Sequence, residues 1–546
     1  MDVRALAAVA ALGAALLLPA PAAAAELKIP PEPDEPPAGY RLSADEAVAI
    51  AQRTGEVRSR RGLEPTAYTR GADRWQVSFF SDSREVVQVH VDDRLGAVTE
   101  TWTGHQVAWR MARGYEGAFG RRFNAPYIWI PLGLLFLLPF VDFRRPFRLL
   151  HLDLLVLCSF AVSHVFFNAG QIGVSVPLAY PVLAYLLARM LWAGFRPRTR
   201  AGPLVPHVPV AWLVLATVFL VGFRVALDIA DSGVIDVGYS GVIGADRIAD
   251  GDELYGEGGF PDDNAHGDTY GPAAYLAYVP FEQAFTWSGR WDDLPAAHAA
   301  AILFDLLTLA GLWLLGRRLR PGEEGRTLGV ALAFAWAAYP YTLFVLATNS
   351  NDALPALLGV LALLAVTAAR PALTGLAVAV GAAAKFGSAA LLPLFAAGTG
   401  ERRIRHGLVF GGVAATALVA LFLPFVPDGG LREVYDRTVG YQAGRGSPFS
   451  AWGLEPSLVP LQDGLKVAAA LLAGLLFFFP RRRDPVQVAA LAAAVLIALQ
   501  LTLTHWFYLY IAWFAPFCLI ALFATQRAPS GRPAAAEEAR REHALA

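Results

Sequence analysis

One stretch of the sequence, residues 228–295, concentrates side chains that can do proton chemistry. It holds fourteen acids against two bases, Arg247 and Arg290. Tyrosines and glycines are interleaved with the acids, as in DVGYSGVIGADRIADGDELYG and HGDTYGPAAYLAYVPFE. A solvated acidic loop needs no such rings, whereas rings that stack on sugar faces and carboxylates that accept hydroxyl protons are typical of a sugar site. The pattern favours a sugar-binding site in which one carboxylate acts as a general base.

Positive charge for an anionic ligand comes from three other places in the chain. A second loop, 427–464, contains GRGSPFS, with Arg445 and Ser447, and is rich in Gly, Ser and Arg. Lys385 lies inside an apolar stretch, where a charge is costly and marks a candidate functional site. His505 follows another apolar stretch, beside two aromatic residues. Each of these residues also has a non-functional interpretation. Arg445 can be an ordinary loop arginine, Lys385 can extend its side chain to the membrane interface, and His505 can belong to an aromatic belt.

Composition places these residues in a membrane protein. The chain has 546 residues, of which 55% are hydrophobic and 17% charged, and its mean hydropathy is +0.44. Soluble domains carry about 25% charged residues. These values exclude a disordered chain, a nucleic-acid-binding protein and an ordinary cytosolic enzyme. Cys158 and Cys518 lie in apolar runs, so they indicate neither a disulfide framework nor a metal site.

The apolar runs predict a bundle of about 12–13 membrane helices, since a spanning helix needs about 20 apolar residues. Basic segments such as 142–148, 317–320, 401–406 and 481–483 are predicted to be cytoplasmic. Counting crossings then places both polar loops outside the cytoplasm. The predicted spans are 125–142, 150–168, 172–193, 208–228, 296–316, 327–347, 352–369, 372–398, 407–426, 465–480, 486–504 and 507–525.

The segment 372–398 does not fit a simple crossing. Arg370 and the basic segment 401–406 should both be cytoplasmic, yet one crossing cannot return to the same side. We therefore predict two half-helices hinged near Gly387. Half-helices of about 12 residues reach only about 18 Å, near mid-bilayer. On that geometry Arg445 is favoured over Lys385 for contact with a phosphate at the outer interface.

The N-terminal region is predicted to lie outside the cytoplasm. Residues 1–25 are typical of a signal peptide, with an uncleaved anchor as the alternative. A proline-rich linker, 26–39, follows, and residues 40–110 predict a small α+β domain. Its helix begins at the capping box of Ser43 and Glu46, and three strands cover RWQVSFFS, EVVQVHVD and DDRLGAVTETW. Residues 526–546 are predicted to be a disordered cytoplasmic tail.

Two resemblances follow from these motifs. The order of helix and strands in 40–110 resembles a PepSY-like domain, for which the sequence indicates no partner. The other motifs are the early acid of the first loop, GADRIADGDELYG, GDTYGPAAYLAYVP, GRGSPFSAWG and THWFYLYIAWFAPF. Together they resemble the GT-C superfamily of membrane glycosyltransferases, closest to glycosyltransferase family 87. This resemblance covers 208–525. Three further membrane helices, in 125–200, and the N-terminal domain are additions to that core.

The resemblance to family 87 implies a reaction and its partners. It implies transfer of a sugar, mannose or arabinose-like, from a polyprenyl phosphate to a glycan or glycolipid acceptor at the extracytoplasmic face. Inversion needs one carboxylate as the general base and positive charge beside the departing phosphate. The implied partners are these two substrates and membrane lipid, without nucleic acid. No cofactor and no divalent metal are expected.

Individual residues take roles from the resemblance. Asp236, in DVGY, matches the family's Asp-x-x-Tyr stretch and is our choice for the base, with Asp231 and Asp228 as alternatives. The remaining substrate-binding candidates are Asp231, Asp246, Asp268, Tyr270, Arg445, Ser447, Lys385 and His505.

Other readings of individual residues and of the whole chain stay open. Asp246 can instead pair with Arg247, and His266 with Asp262 and Asp268 is a weak metal alternative. Asp305, deep in a span, is expected to pair with an Arg or His of another helix. The alternative function is a transporter or envelope sensor regulated by the N-terminal domain, and a transporter predicts paired broken helices.

Overall fold

The computed structural model describes residues 27–114, 121–196, 206–399 and 403–524. The predicted signal peptide and cytoplasmic tail lie outside these residues. Contacts divide the described residues into two compact units. One unit holds 27–114 with 166–172, and the other holds the remaining described residues.

The first unit is an α+β domain with a five-stranded antiparallel sheet in the order β1 to β5. Strands 74–81, 84–92 and 97–103 confirm the three predicted strands. The sequence analysis missed strands 27–28 and 64–70, because the first lies in the proline-rich linker and the second contains Pro65. The elements are β1 (Leu27–Lys28), α1 (Ala44–Ala51), α2 (Gly55–Arg58), β2 (Glu64–Arg70), β3 (Arg74–Ser81), β4 (Arg84–Asp92), β5 (Ala97–Thr103) and α3 (His105–Ala108).

Helix α1 begins where the sequence predicted. The Ser43 side chain accepts the Glu46 N–H at 3.2 Å, and the Glu46 carboxylate accepts the Ser43 N–H at 2.9 Å. These two bonds satisfy amides that a helix start leaves unpaired. The helix packs its alanines on the sheet face formed by alternate residues of β3 and β4. Those residues are Trp75, Val77, Phe79, Val87, Val89 and Val91.

The second unit is a bundle of apolar helices, as predicted. Within the described residues, six helices are long and apolar enough to cross a membrane, or seven counting one bent pair, and six shorter apolar helices accompany them. Several spans expose rows of large apolar side chains, such as Trp212, Leu215 and Phe219 on one of them. A soluble protein rarely leaves such faces uncovered, so these faces suit lipid.

The helices of the second unit are α4 (Pro126–Leu137), α5 (Leu149–Asn168), α6 (Ile172–Phe195), α7 (Val210–Asp231), α8 (Asp236–Asp250), α9 (Pro272–Leu276), α10 (Val279–Glu282), α11 (Pro295–Leu319), α12 (Gly322–Ala338), α13 (Pro340–Ala347), α14 (Ala353–Thr367), α15 (Pro371–Ala384), α16 (Leu392–Ala397), α17 (Arg403–Phe422), α18 (Gly430–Tyr435), α19 (Tyr441–Gly444), α20 (Ala451–Leu454), α21 (Val459–Leu475), α22 (Pro485–Gln500) and α23 (Ile511–Ala524). Short 3₁₀ turns flank several of them, and a π-helical turn, Asp436–Gly440, joins α18 to α19. The last residues of α5, from Phe166 onward, belong to the first unit.

One predicted bound changes, and a predicted hinge is located. The span predicted at 465–480 begins earlier, at Pro456, because the polar residues Gln462, Asp463 and Lys466 had delayed the apolar signal. The predicted hinge near Gly387 is confirmed, and the break itself falls at Lys385. Lys385 itself is extended, with φ −135° and ψ 115°, and a 3₁₀ turn, Phe386–Leu391, leads into α16.

A second break, which the sequence analysis did not predict, separates α12 from α13 with a 56° bend at Pro340. Pro340 has no N–H to donate to Trp336 O. Thr342 Oγ1 donates to that carbonyl at 2.5 Å, and Arg224 Nη1 donates to Ala337 O at 3.1 Å. The break is therefore satisfied inside the protein, as an apolar surround requires.

The same arginine confirms the predicted partner of Asp305. Arg224 Nη2 donates to Asp305 Oδ1 at 2.6 Å, and Trp336 Nε1 donates to the same oxygen at 2.8 Å. Arg224 and Asp305 are both buried. The pair joins α7, α11 and α12, so removing one partner should leave a buried charge uncompensated.

Candidate active site

Asp236 is the first residue of α8, and its position is set by a polar segment between two apolar helices. That segment, 348–352 (Thr-Asn-Ser-Asn-Asp), joins α13 to α14 and is buried throughout. Ile235 N donates to Thr348 O at 3.1 Å, and Asn349 Nδ2 donates to Ser232 Oγ at 2.9 Å. The chain entering α8 is thereby tied to 348–352.

Glycine is required where α8 meets this segment. A Cβ on Gly238 would overlap Asn349 O, and a Cβ on Gly241 or Gly244 would press into the rings of Tyr278 or Tyr275. These glycines recur every third residue, so they lie close together on α8. The spacing lets the helix approach its neighbours closely and fixes Asp236 at its start.

The Asp236 carboxylate is reached by solvent and lies in the field of Arg445 and Lys385; we call the region around these three side chains the cleft. Its side chain is exposed, yet surrounding protein atoms desolvate it and raise its pKa. The positive charges of Arg445 and Lys385 lower that pKa in part. An accessible carboxyl with a raised pKa beside cations is suited to accept a proton.

Lys385 belongs to the same cleft, since its charge lowers the pKa of Asp236. Its Nζ lies 3.0 Å from Asp352 Oδ1 and 4.5 Å from the centre of the Tyr270 ring. A Cβ on Gly271 would overlap Ala383 O, so the first polar loop packs directly on the end of α15. The break in the chain places the lysine beside that loop.

Asp352 is held by further polar contacts. Trp513 Nε1 donates to its Oδ1 at 2.9 Å, and the Ser350 hydroxyl donates to Oδ2. Both Asp352 and Lys385 are buried, at 1% and 6% exposure. The pair is therefore an internal ion pair beside the Tyr270 ring.

The two polar loops contact one another, so they lie on the same side of the bundle. Arg437 Nη1 donates to Asp268 Oδ2 at 3.0 Å, and Gln442 Nε2 donates to Thr269 Oγ1 at 3.0 Å. Burial raises the pKa of Asp268, and Arg437 lowers it. Asp268 thus joins the loops through Arg437, and the next residues lead to Tyr270.

Arg445 and His505 complete the cleft. The Ser447 hydroxyl and His505 Nδ1 are 2.9 Å apart, and Phe449 N donates to Ser447 Oγ at 3.2 Å. Burial, together with the charges of Arg445 and Lys385, lowers the pKa of His505 to about 3. His505 is therefore neutral at physiological pH and lies in the field of both cations.

The structure brings together Asp236, Tyr270, Lys385, Arg445, Ser447 and His505. Two other acids are engaged elsewhere: Asp231 with Arg122 at 2.9 Å, and Asp228 with His298 at 3.0 Å. Asp246 is about 15 Å from Asp236 along α8, at 1.5 Å per residue.

Asp246 and His266 have other neighbours. Burial raises the pKa of Asp246, and Glu282 raises it further. Arg247 binds Glu253 O at 2.8 Å, and it lowers the pKa of Asp246 without a hydrogen bond to it. His266 stacks on Tyr441 with ring centres 4.5 Å apart. Across the described ranges, no three His, Cys, Asp or Glu residues are grouped as a metal site would need.

The sequence analysis missed Asp352 and its segment. The signal was present as five consecutive polar residues, 348–352, between two strongly apolar runs. Such a run needs partners at membrane depth, and the structure supplies them from the residues before α8, from Lys385 after α15 and from Trp513 of α23. Asn351 keeps both side-chain polar atoms buried, without a hydrogen bond to any of the described residues.

Comparison with known proteins agrees with this geometry. The family model of Glycosyltransferase family 87 matches residues 269–506. No curated protein matches the chain. The matched region includes Tyr270, Asp352, Lys385, Arg445 and His505, whereas Asp236 precedes it. The match covers less than half of the chain, and over that part the chain is similar to family 87, which supports a membrane glycosyltransferase.

Proposed function

We propose that the protein transfers a sugar from a polyprenyl-phosphate donor to a hydroxyl of a glycan or glycolipid. The observation that carries the proposal is that one accessible carboxylate, Asp236, lies in the field of two cations, Arg445 and Lys385. A base and positive charge at one site are what glycosyl transfer from a phosphate requires. The similarity to family 87 supports the reaction class.

In the proposed step, Asp236 accepts the proton of the acceptor hydroxyl. The hydroxyl oxygen forms a bond to the anomeric carbon as the bond from that carbon to the phosphate oxygen breaks. Both electrons of that bond leave with the lipid phosphate. Attack opposite the leaving group inverts the anomeric carbon. The proton remains on Asp236 and then passes to solvent, which reaches this side chain.

Arg445 and Lys385 take different parts in this proposal. The half-buried Arg445 can grip the phosphate with two parallel hydrogen bonds. Lys385, which is paired with Asp352 and lies beside the Tyr270 ring, contributes positive field. His505, neutral and beside Ser447, is placed to donate a hydrogen bond to a phosphate oxygen. The two side-chain cations supply the positive charge, and the proposal invokes no divalent metal.

The proposed orientation puts the cleft outside the cytoplasm. Helix α17 runs from the basic Arg403 to Phe422, a length of about 30 Å, which matches the hydrocarbon core. The polar loops follow its far end, and basic residues occupy its near end. Because basic segments favour the cytoplasmic side, the loops face away from it.

One observation favours the transporter alternative, because the described residues contain two broken helices. Paired breaks line the substrate path in many transporters. The break at Pro340, however, is closed by Arg224 and Thr342, whereas the break at Lys385 faces the cleft. The two breaks therefore make different contacts, which argues against their being copies of one internal repeat.

Asp236→Asn distinguishes these functions. The carboxamide keeps the shape, and losing a general base should lower transfer about 10²–10⁴-fold. The measurement is transfer of radiolabelled sugar from polyprenyl-phosphate donors in membranes with wild-type protein, the variant or none. Asp263→Asn, a nearby exposed acid of the same loop, is the control and should retain transfer. Sugar that crosses vesicles without being joined to an acceptor would support the transporter instead.

A further inference from the structure

Three aromatic rings pack together beside Asp236, and we call Tyr239, Trp287 and Trp291 the aromatic cluster. The Trp291 indole stacks on the Tyr239 ring, with ring centres 4.9 Å apart and planes 28° apart. Trp287 meets Tyr239 edge-on, with ring centres 5.9 Å apart. Tyr239 is fully buried, whereas 38% of the Trp291 side chain is exposed. Tyrosine therefore covers one face of the Trp291 indole, and the exposed surface belongs to the rest of that ring.

The aromatic cluster is attached to the start of α8, where Asp236 lies. Trp291 Nε1 donates to Val234 O at 3.0 Å, two residues before Asp236. Tyr239 follows Asp236 by three residues, which is about 4.5 Å along a helix, and residues at that spacing are neighbours on one side of it. The exposed carboxylate and the exposed indole therefore border the same part of the protein surface.

The indole N–H groups of the cluster are bonded inside the loop. Trp287 Nε1 donates to Arg290 O at 3.0 Å, and Trp291 Nε1 donates to Val234 O. A tryptophan that only anchors a protein at the membrane interface turns its polar end toward water and lipid headgroups. Trp291 instead exposes the carbon surface of its ring, which is the part of an indole that a sugar ring contacts.

The turn that carries Trp291 is held in one conformation. The Asp292 carboxylate accepts from Leu294 N at 3.1 Å and from the Ser288 hydroxyl at 2.5 Å. Leu294 is in the left-handed region, with φ 43° and ψ 62°, which is unfavourable for a residue with a side chain. Such strain persists where the surroundings impose it, as at ligand sites. The indole is thus positioned in advance, which lowers the entropic cost of binding a ligand.

We propose that Trp291 stacks on a sugar ring of the acceptor glycan or glycolipid, an inference that rests on the proposed function. Burial raises the pKa of Tyr239, and carboxylates of the same loop raise it further. The charge of Arg445 acts on Tyr270, where it opposes the rise in pKa that burial causes. The aromatic cluster therefore lies toward the acids, a setting that suits a neutral sugar better than the lipid phosphate. A sugar on Trp291 has its hydroxyls near Asp236, which accepts a proton in the proposed step.

The test is saturation-transfer difference NMR on the purified full-length protein in a detergent that carries no sugar. The probes are the methyl pyranosides of glucose, mannose and galactose, with mannitol as a polyol that has no ring. At least one pyranoside should receive saturation on its ring C–H protons, and mannitol should receive much less. Trp291→Ala should weaken pyranoside binding about fivefold or more, because the stacking ring is lost. Trp291→Phe keeps an aromatic ring and should retain most of the binding.

A matched control and a second variant keep the test decisive. Trp212→Ala removes a tryptophan that is 67% exposed on α7, and binding should not change. Trp291→Leu keeps apolar bulk over Tyr239 without a ring, so it should lose binding at an unchanged thermal midpoint even if the alanine variant is unstable. The proposal is overturned if no pyranoside binds the wild type, if mannitol binds as well, or if Trp212→Ala loses as much as Trp291→Leu. Equal loss in Trp291→Phe and Trp291→Leu would also overturn it, since the ring surface would then not be the cause.

Failure of this inference and failure of the proposed function give different results. If Trp291 takes no part in acceptor binding, labelled-sugar transfer proceeds equally in wild type and Trp291→Leu. If the protein is not a glycosyltransferase, transfer is absent from the wild type as well, whereas pyranoside binding still depends on Trp291. Measuring transfer and pyranoside binding on the same preparations separates the two cases.

Discussion

The buried pair of Lys385 and Asp352 allows the chemical role of the lysine to be separated from its structural role. The carboxylate of Asp352 is 1% exposed, and Lys385 Nζ is its cationic partner at 3.0 Å. In Lys385→Met, Asp352 would stay buried with two neutral donors, Trp513 and Ser350. We therefore expect the single variant to lose both stability and transfer.

The expected loss of stability follows from the burial of this pair. Removing one partner of a buried ion pair costs about 3–5 kcal/mol, because the other charge stays desolvated. In the double variant Lys385→Met with Asp352→Asn, no charge remains uncompensated. The new amide oxygen can still accept from Trp513 Nε1, and its NH₂ can donate to Ser350. Most of the lost stability should therefore return.

Activity should not return with stability. If Lys385 contributes positive field to the phosphate, the double variant lacks that field although it folds. Thermal unfolding of the detergent-purified protein and labelled-sugar transfer, measured on wild type, both single variants and the double variant, give a complete cycle. The control is Lys466→Met, which removes an exposed lysine paired with Asp463 and should change neither quantity.

A double variant that regains wild-type transfer would refute this reasoning. Lys385 would then be a structural partner of Asp352 only, and the phosphate would be stabilised without it. A double variant as unstable as Lys385→Met would also contradict the burial argument, since it would show that the charge of Asp352 was not the cause.

Two further predictions test the base and the orientation. Transfer should fall as the pH is lowered, with a midpoint above the ordinary carboxyl value of about 3.9, because burial raises the pKa of Asp236 and the base works ionised. Arg445→Gln removes a charge that lowers this pKa, so the midpoint in a pH–rate profile should move to higher pH. A midpoint that does not move would place the base elsewhere. Cysteines introduced at Ser288 and Ala443, both exposed, should react with an impermeant thiol reagent on intact cells, while one at Arg145 should be protected; the opposite labelling pattern would invert the proposed topology.

The N-terminal domain shows which parts of a fold are readable from sequence. The capping box of Ser43 and Glu46 and the alternation in β3 and β4 are local signals, and the structure follows them. Strand β2 was missed because Pro65 interrupts its pattern, although it pairs along its full length with β3. The resemblance of this domain to PepSY-like domains stays a prediction.

For the cleft, the sequence indicated which residues carry chemistry better than it indicated which of them lie close together in space. Asp236 and Arg445 stood out because acids and Gly/Arg-rich motifs occur in long polar loops. Asp352 did not stand out, because it lies in a five-residue polar segment that the hydropathy pattern indicates to be a simple turn between two spans. Its importance comes from neighbours far away in the chain, Lys385 and Trp513.

The expected order of Arg445 over Lys385 rested on helix length, and it stays a prediction. A half-helix of 14 residues, Pro371–Ala384, does end inside the bundle. The first polar loop packs directly on its end, since a Cβ on Gly271 would overlap Ala383 O. The site is therefore formed where this loop meets the end of α15. That arrangement lets an internal lysine and a loop arginine act on one carboxylate, and it could be inferred from sequence only if the glycine contact were known.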